Sequence, residues 1–289
     1  MTNLASPDYY CVMGNPVAHS RSPWIHARFA ALTGQVLRYD RRLIALDGFA
    51  QGLRDFLAEG GRGCNITVPF KFAAADVAQH FSPRAQLAQA ANTLTVRDDG
   101  IYADNTDGAG LVADIERNAG VRLAGRDVLL VGAGGAAAGV LGPLLAAGPA
   151  RLTVVNRTHA RAVELVQRHA ALAALQNSEL TAPDIRALEG NFDVIINASA
   201  SSLGGGAVPV PASVLRPGAL ALDMMYGEAA QGFMDWAHQH GAIPRDGLGM
   251  LVEQAAEAFH GWRCSPSWAA FRSTWAAAVS RPAGPPRWR

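Results

Sequence analysis

Apolar and polar positions change their period repeatedly along the chain, from short unbroken apolar runs to spacings of three and four residues and back. Residues 9–13 form the first apolar run, closed by the turn-forming Gly14-Asn15-Pro16. The next stretch predicts a helix carried by Ile25, Phe29, Ala30 and Leu32, with Ser22 as N-cap and Pro23 at the first helical position, where a missing N–H costs nothing. Residues 36–42 read as extended, and Asp47 is placed to cap a helix using Phe49, Leu53, Phe56 and Leu57. Residues 63–67 predict a strand ended by Pro69, with Lys71 just past its carboxyl end. Two further extended runs, 92–96 and 101–102, flank Asp98-Asp99-Gly100, a hairpin turn. Asn105-Thr106-Asp107-Gly108 then opens a helix reaching residue 119.

The alternation restarts at residue 128. The run VLLV over 128–131 reads as a buried strand, breaks into Gly132-Ala133-Gly134-Gly135, and continues into a small-residue helix that stops at Gly148. Pro143 inside that helix predicts a kink or one lost hydrogen bond. Strands follow at 151–155, 192–197 and 219–223, with a helix over 158–174 and a variable connection over 170–190. From Asp246 a glycine turn feeds a helix bearing Leu251, Val252, Ala255 and Phe259, expected to return to the first layer. Strands alternating with helices predict a two-domain α/β chain. We expect an N-terminal open α/β substrate domain over 1–107, a Rossmann-type parallel-sheet domain over 108–245, and C-terminal helices over 246–289 packing back on the first domain.

The turn between the 128–131 strand and its helix suits a dinucleotide, with Ala137 in the third slot of the glycine fingerprint. Turns without Cβ atoms admit a pyrophosphate to the backbone, and the first amides of the helix point at it. The same turn also occurs for packing alone, so the next strand matters. An NAD site carries an acidic residue about 20 residues past the glycines to hold the ribose hydroxyl. Here that place is taken by Asn156-Arg157-Thr158, with no carboxylate. A guanidinium grips a 2′-phosphate that a carboxylate would repel, and Thr158 is placed to cap the following helix. The expected cofactor is NADP, against the plainer alternative of Arg157 as a solvated surface arginine.

Composition narrows the field further. Hydrophobic residues make up 49% of the 289 and charged residues 17%, which describes a compact globule with a sizeable core. A net charge of +1 gives no argument for nucleic acid or an anionic membrane, and no run is read as reaching the roughly 18 apolar residues of a membrane span. The three cysteines, Cys11, Cys64 and Cys264, are scattered without metal spacing, as expected of reduced thiols in the cytoplasm. The first 13 residues lack the basic and apolar regions of a signal peptide, and the tail RPAGPPRWR reads as a loose end. His19 and His26 lack a third ligand at suitable spacing and are read as structural.

Lys71 and Asp107 are the titratable residues best placed for chemistry, one past a strand and one at a helix start. Ligands in open α/β sheets lie beyond the carboxyl ends of strands, so both side chains are expected to face one crevice and relay a proton there. Which of the two carries the proton stays open. Taken singly, each also reads as an ordinary residue, a solvated lysine and a capping aspartate.

Eight ordered blocks raise these expectations together: GNPVAHSRSP (14–23), GCNITVPFK (63–71), AANTL (90–94), DNTDGAG (104–110), GAGGAA (132–137), NRT (156–158), DMMY (223–226) and DGLGMLVEQA (246–255). In this order they resemble the NADP-dependent shikimate dehydrogenase family, over nearly the whole chain. The resemblance implies interconversion of 3-dehydroshikimate and shikimate in aromatic amino acid biosynthesis, with Lys71 and Asp107 as the catalytic pair. It implies that Ser20 and Ser22 hold the substrate carboxylate with Tyr226 close by, and that Thr67, Asn92 and Gln254 bond the ring hydroxyls and Lys71. On the cofactor side it implies Gly132, Ala133, Gly134, Gly135 and Ala136 at the pyrophosphate, Asn156, Arg157 and Thr158 at the 2′-phosphate, and Gly247 and Met250 bordering the nicotinamide. A monomer or homodimer is expected, with no metal. The chain departs from the family in having Asn197-Ala198-Ser199-Ala200-Ser201-Ser202 where Asn-Ala-Thr-Ser-x-Gly is usual, and Ala27 for a frequent Asn. Two rivals remain: a quinate-using enzyme of the same build with relaxed use of NAD, and a non-catalytic NADP sensor.

Overall fold

The computed structural model describes residues 7–199 and 208–263. The expectations for Cys264, for Ala200 and Ser202, for the tail and for any helix beyond residue 263 lie outside the described residues.

Two six-stranded sheets organise the described residues. The first is built from β1 (Asp8–Gly14), β2 (Leu37–Leu43), β3 (Gly61–Ile66), β4 (His80–Phe81), β5 (Thr93–Arg97) and β6 (Gly100–Asp104), in the order β2-β1-β3-β5-β6-β4. β1 runs parallel to β2 and β3, whereas β5 is antiparallel to both β3 and β6. The hairpin expected around Asp98-Asp99-Gly100 joins β5 to β6, with Arg97 opposite Gly100. Helices α1 (Ser22–Thr33), α2 (Phe49–Ala58), α3 (Lys71–Asp76) and α4 (Pro83–Ala88) connect these strands. Cys11, Met13, Cys64, Ile66 and Leu94 form one buried cluster with Phe49, Leu53 and Phe56 of α2.

The second sheet holds β7 (Asp127–Val131), β8 (Arg151–Val155), β9 (Glu179–Thr181), β10 (Phe192–Asn197), β11 (Leu215–Asp223) and β12 (Ile243–Arg245), in the order β12-β11-β10-β7-β8-β9. Every neighbouring pair is parallel. Counted from β7, this is the 3-2-1-4-5-6 order of the doubly wound dinucleotide fold, whose strand order reverses between the first and fourth strands. Val128 and Leu130 face a cluster with Leu141 and Leu144, and Leu129 and Val131 face one with Phe233. Burial on both faces is why the sequence there is an unbroken apolar run rather than an alternating one.

Between the sheets lie α5 (Asp107–Ala113), α6 (Gly135–Ala146) and α9 (Leu248–Arg263); α7 (His159–Leu175) and α8 (Glu228–Gln239) cover the second sheet. A π turn, Asp114–Asn118, carries α5 to the end expected for it. α6 runs on through Pro143, and the proline ring fills the space beside Gly108, where a Cβ would sit 2.3 Å from Pro143 Cγ. Gly108 therefore lets α5 and α6 approach closely. α9 returns to the first sheet as expected: Ala255, Ala256 and Phe259 pack with Ile25 and Phe29 of α1, and Trp262 Nε1 donates to the Leu94 carbonyl at 3.2 Å. Buried Asp114 fixes the start of that return, taking two hydrogen bonds from Arg245 at 2.8 and 2.6 Å.

Two expected caps shift by one residue. Arg21 occupies the cap position of α1, Ser22 is already helical, and no side chain caps the turn. Gly48, not Asp47, precedes α2, again without a side-chain cap. Thr158 does sit at the cap position of α7 but makes no side-chain cap bond. A backbone turn fixes where a helix begins, and short polar residues flanking that turn do not mark it to better than a residue.

Candidate active site

The carboxyl ends of β1, β3, β7, β10 and β11 open on a single cleft of about 940 Å³. One wall carries His19, Ser20, Ser22, Asn65, Thr67, Lys71, Asn92 and Asp107; the other carries residues 132–136, Asn156, Arg157, Thr158 and Arg161. Tyr226, Gly247, Met250 and Gln254 lie along it as well. Every site residue proposed from the sequence therefore borders one space.

At its centre, Lys71 Nζ donates to Asp107 Oδ2 at 2.6 Å. The two side chains are 13% and 7% exposed, so the pair faces the cleft from a largely dry setting. Lys71 is the first residue of α3 and Asp107 the first of α5, so two helix starts bring the pair together. Asn92 braces the carboxylate from behind: its Nδ2 lies 3.0 Å from Asp107 Oδ1, 2.9 Å from Thr106 Oγ1 and 3.1 Å from Gln254 Oε1. The Asn92 oxygen accepts from Thr106 N at 2.8 Å, which settles the sense of its amide. Gln254 is buried and meets Asn92 and Thr106 rather than Lys71.

The Ser20 and Ser22 hydroxyls lie 3.2 Å apart, both buried at the mouth of α1. Arg41 clamps the Ser20 carbonyl with two hydrogen bonds at 2.8 and 2.6 Å, which holds this loop. Two cis peptide bonds, Asn15–Pro16 and Val68–Pro69, occupy adjacent loops, tied by Asn15 N donating to the Val68 carbonyl at 2.9 Å. Across the cleft, the Arg21 guanidinium lies 5.9 Å from the Tyr226 ring centroid, and burial pushes the Tyr226 phenol above its ordinary value.

The opposite wall is the glycine turn. Gly132 has φ +117, and a Cβ there would sit 3.0 Å from the Ala198 backbone. Gly135 abuts the lysine, with Lys71 Cβ 3.0 Å from the point a Gly135 Cβ would occupy. A Cβ on Gly134 would meet no atom within 4 Å, so that backbone faces open space at the start of α6. Beyond β8, Asn156 Nδ2 donates to the Thr158 carbonyl at 2.9 Å, while Arg157 is exposed and makes no hydrogen bond or ion pair among the described residues. A bare glycine backbone, a helix start and an unengaged guanidinium fit a phosphorylated dinucleotide.

Sequence reasoning missed Asn65 and Arg161. Asn65 is buried in β3, accepts from Tyr39 Oη at 2.7 Å and lines the cleft. Its signal was present: a lone amide between the apolar Cys64 and Ile66 near the end of the strand. Arg161 lies in the first turn of α7 and borders the same cleft as Arg157.

Residues 12–94 match the family profile described as the shikimate dehydrogenase substrate-binding domain, and residues 114–204 match that of the shikimate/quinate 5-dehydrogenases. The NADP(+)-dependent shikimate dehydrogenase of Acidovorax sp. (strain JS42) is 73% identical over 259 residues, 90% of this chain and 92% of that one. This chain belongs to the shikimate dehydrogenase family. Among solved structures, an Ael1 enzyme from Pseudomonas putida is 43% identical with a TM-score of 0.79, covering 95% of this chain and 99% of that one. The Thermus thermophilus shikimate 5-dehydrogenase, solved with NADP(H) and shikimate, is 28% identical with a TM-score of 0.74 over 93% of this chain and 99% of its own.

Proposed function

We propose that this protein is an NADP-dependent shikimate dehydrogenase, reversibly reducing 3-dehydroshikimate to shikimate. The observation that carries the reading is the Lys71–Asp107 pair, held 2.6 Å apart on the cleft wall facing the glycine turn. Family membership and the 73% identical NADP(+)-dependent relative support it.

Reduction of the C3 ketone needs a hydride on carbon and a proton on oxygen. NADPH, held at residues 132–136 and Arg157, would supply the hydride. Lys71 and Asp107 hold the proton delivered to that oxygen and recover it in the reverse direction. Asn92 keeps one carboxylate oxygen engaged, so Asp107 faces donors on both sides. Ser20 and Ser22 receive the substrate carboxylate with Tyr226 beside them, and Thr67, Asn92 and Gln254 meet the ring hydroxyls. Neutral donors of this kind discriminate strongly, because a substrate lacking one hydroxyl leaves a buried partner unpaired. Residues 132–136 receive the pyrophosphate, Asn156, Arg157 and Thr158 the 2′-phosphate, and Gly247 and Met250 border the nicotinamide. Segment 1–107 serves as substrate domain, 108–245 as nucleotide domain and 246–289 as the returning element. The working form is a cytoplasmic monomer or homodimer acting on a small molecule rather than on nucleic acid or a membrane. Among the described residues no helix is long and apolar enough to cross a membrane.

Turnover of shikimate and quinate, each with NADP and with NAD, tests the reading. Shikimate with NADP is expected to be the fastest pair by at least about tenfold. A preference for quinate would favour the shikimate/quinate alternative, and NADPH binding without turnover of either acid would make the protein a sensor.

A further inference from the structure

Asn92 is the near end of a longer chain of hydrogen bonds. Tyr39 Oη donates to Asn65 Oδ1 at 2.7 Å, and Asn65 Nδ2 donates to Thr93 Oγ1 at 3.1 Å. Thr93 Oγ1 donates to Asn92 Oδ1 at 2.9 Å, and Asn92 Nδ2 donates to Asp107 Oδ1 at 3.0 Å. Lys71 meets the second oxygen of the same carboxylate. All five residues from Tyr39 to Asp107 are buried, yet Tyr39 and Thr93 do not line the cleft.

The chain runs in one direction only. Asn65 Nδ2 also lies 3.3 Å from the Asn92 backbone carbonyl, which can only accept, so Asn65 keeps its NH2 on the Thr93 side and its oxygen towards Tyr39. Thr93, accepting from Asn65, passes its own proton to the Asn92 oxygen. The Asn92 oxygen thus accepts from Thr93 Oγ1 beside the Thr106 amide, and loss of the Thr93 proton would leave it to Thr106 alone. The Tyr39 ring is held in place by the His26 imidazole, stacked on it at 4.2 Å and 7°. Burial, with the Cys11 and Cys64 thiols adding to it, pushes the Tyr39 phenol well above its ordinary value, so it stays a donor.

We propose that Tyr39 is a positioning residue for the reaction, holding Asn92 against Asp107 through Asn65 and Thr93 and so adding to the grip of the Thr106 amide. The proposal rests on the reading of Lys71 and Asp107 as the reacting pair.

Tyr39→Phe and Thr93→Val each remove one hydroxyl with little change of shape. Each is expected to lower kcat for shikimate oxidation about five- to tenfold, the effect of one uncharged hydrogen bond, with the NADPH Kd unchanged. The double variant is expected to fall no further, because a chain cut once is already cut; independent packing defects would multiply. A second readout needs no turnover: in protein labelled with ¹⁵N-asparagine, the Asn92 side-chain NMR signals are expected to move in both single variants. An unchanged kcat in Tyr39→Phe, multiplied losses in the double variant, or Asn92 signals indifferent to Tyr39→Phe overturns the proposal. Should Tyr39→Phe fail to accumulate, Thr93→Val with the same two readouts decides. A wild-type protein inactive on shikimate would refute the function instead, and the Asn92 signals would still report whether the chain exists.

Discussion

Lys71 and Asp107, 36 residues apart in sequence, share a hydrogen bond of 2.6 Å at the seam between the two sheets. Each starts a helix, each is largely buried, and Gly135 of the glycine turn packs against the lysine stem. The proposed proton-handling pair and the glycine turn are thus contiguous. Asp107→Asn keeps the shape but removes the charge, and is expected to lower kcat by roughly 10²-fold or more while leaving NADPH binding within about twofold. Steady-state kinetics and a fluorescence titration with NADPH check the two halves of that statement.

Arg157 makes no hydrogen bond or ion pair among the described residues although it borders the cleft. An exposed guanidinium costs little to engage, and the proposed bond to a 2′-phosphate would distinguish NADPH from NADH. Arg157→Ala is expected to raise the NADPH KM about tenfold or more and to leave the NADH KM nearly unchanged. Parallel KM measurements with both cofactors check this, and equal shifts would remove Arg157 from the 2′-phosphate site.

Gly134 tests the glycine turn without testing the fold. A Cβ there meets no protein atom within 4 Å, so Gly134→Ala leaves the packing intact and intrudes on the space proposed for the pyrophosphate. The thermal midpoint is expected to stay within about 2 °C of wild type while NADPH affinity falls at least about tenfold. Calorimetry with a binding titration reads both. Retained affinity would mean that the pyrophosphate lies elsewhere.

His26 is fully buried, and neither ring nitrogen finds a hydrogen-bond partner among the described residues. Burial lowers its pKa to about 3, against a weaker opposing influence of Asn65. In the unfolded chain it titrates near 6.5, so between those values the unfolded state holds the extra proton. The stability contributed is complete above pH of about 6.5 and is lost as pH falls towards 3, by about 1.4 kcal/mol per pH unit. Burial lowers His169 in the same way, adding to the slope. His26→Phe keeps a ring against Tyr39, and its urea midpoint is expected to fall less steeply between pH of about 6 and about 4 than that of wild type. Equal slopes would contradict the burial argument.

The nucleotide unit was legible because its strands are buried on both faces and its glycine turn falls at the β7–α6 junction. The edge strands β9 and β12 were not read, since three residues with one exposed side carry no period. Pro143 looked like a helix defect and is instead the partner of Gly108, a relationship between segments that local pattern does not encode. At the site, Lys71 and Asp107 were visible as residues after a strand and at a helix start. Gln254 was visible only through family resemblance, because its helix hides which face is buried. Asn65 was passed over, although an amide between apolar Cys64 and Ile66 is the kind of buried polar group that demands a partner.

The measurement that bears most directly on the account is kcat of Lys71→Ala for shikimate oxidation by NADP, taken beside its affinity for NADPH. The account predicts a fall of roughly 10²- to 10⁴-fold with cofactor affinity retained. A rate equal to wild type would contradict it and remove the Lys71–Asp107 pair from the chemistry.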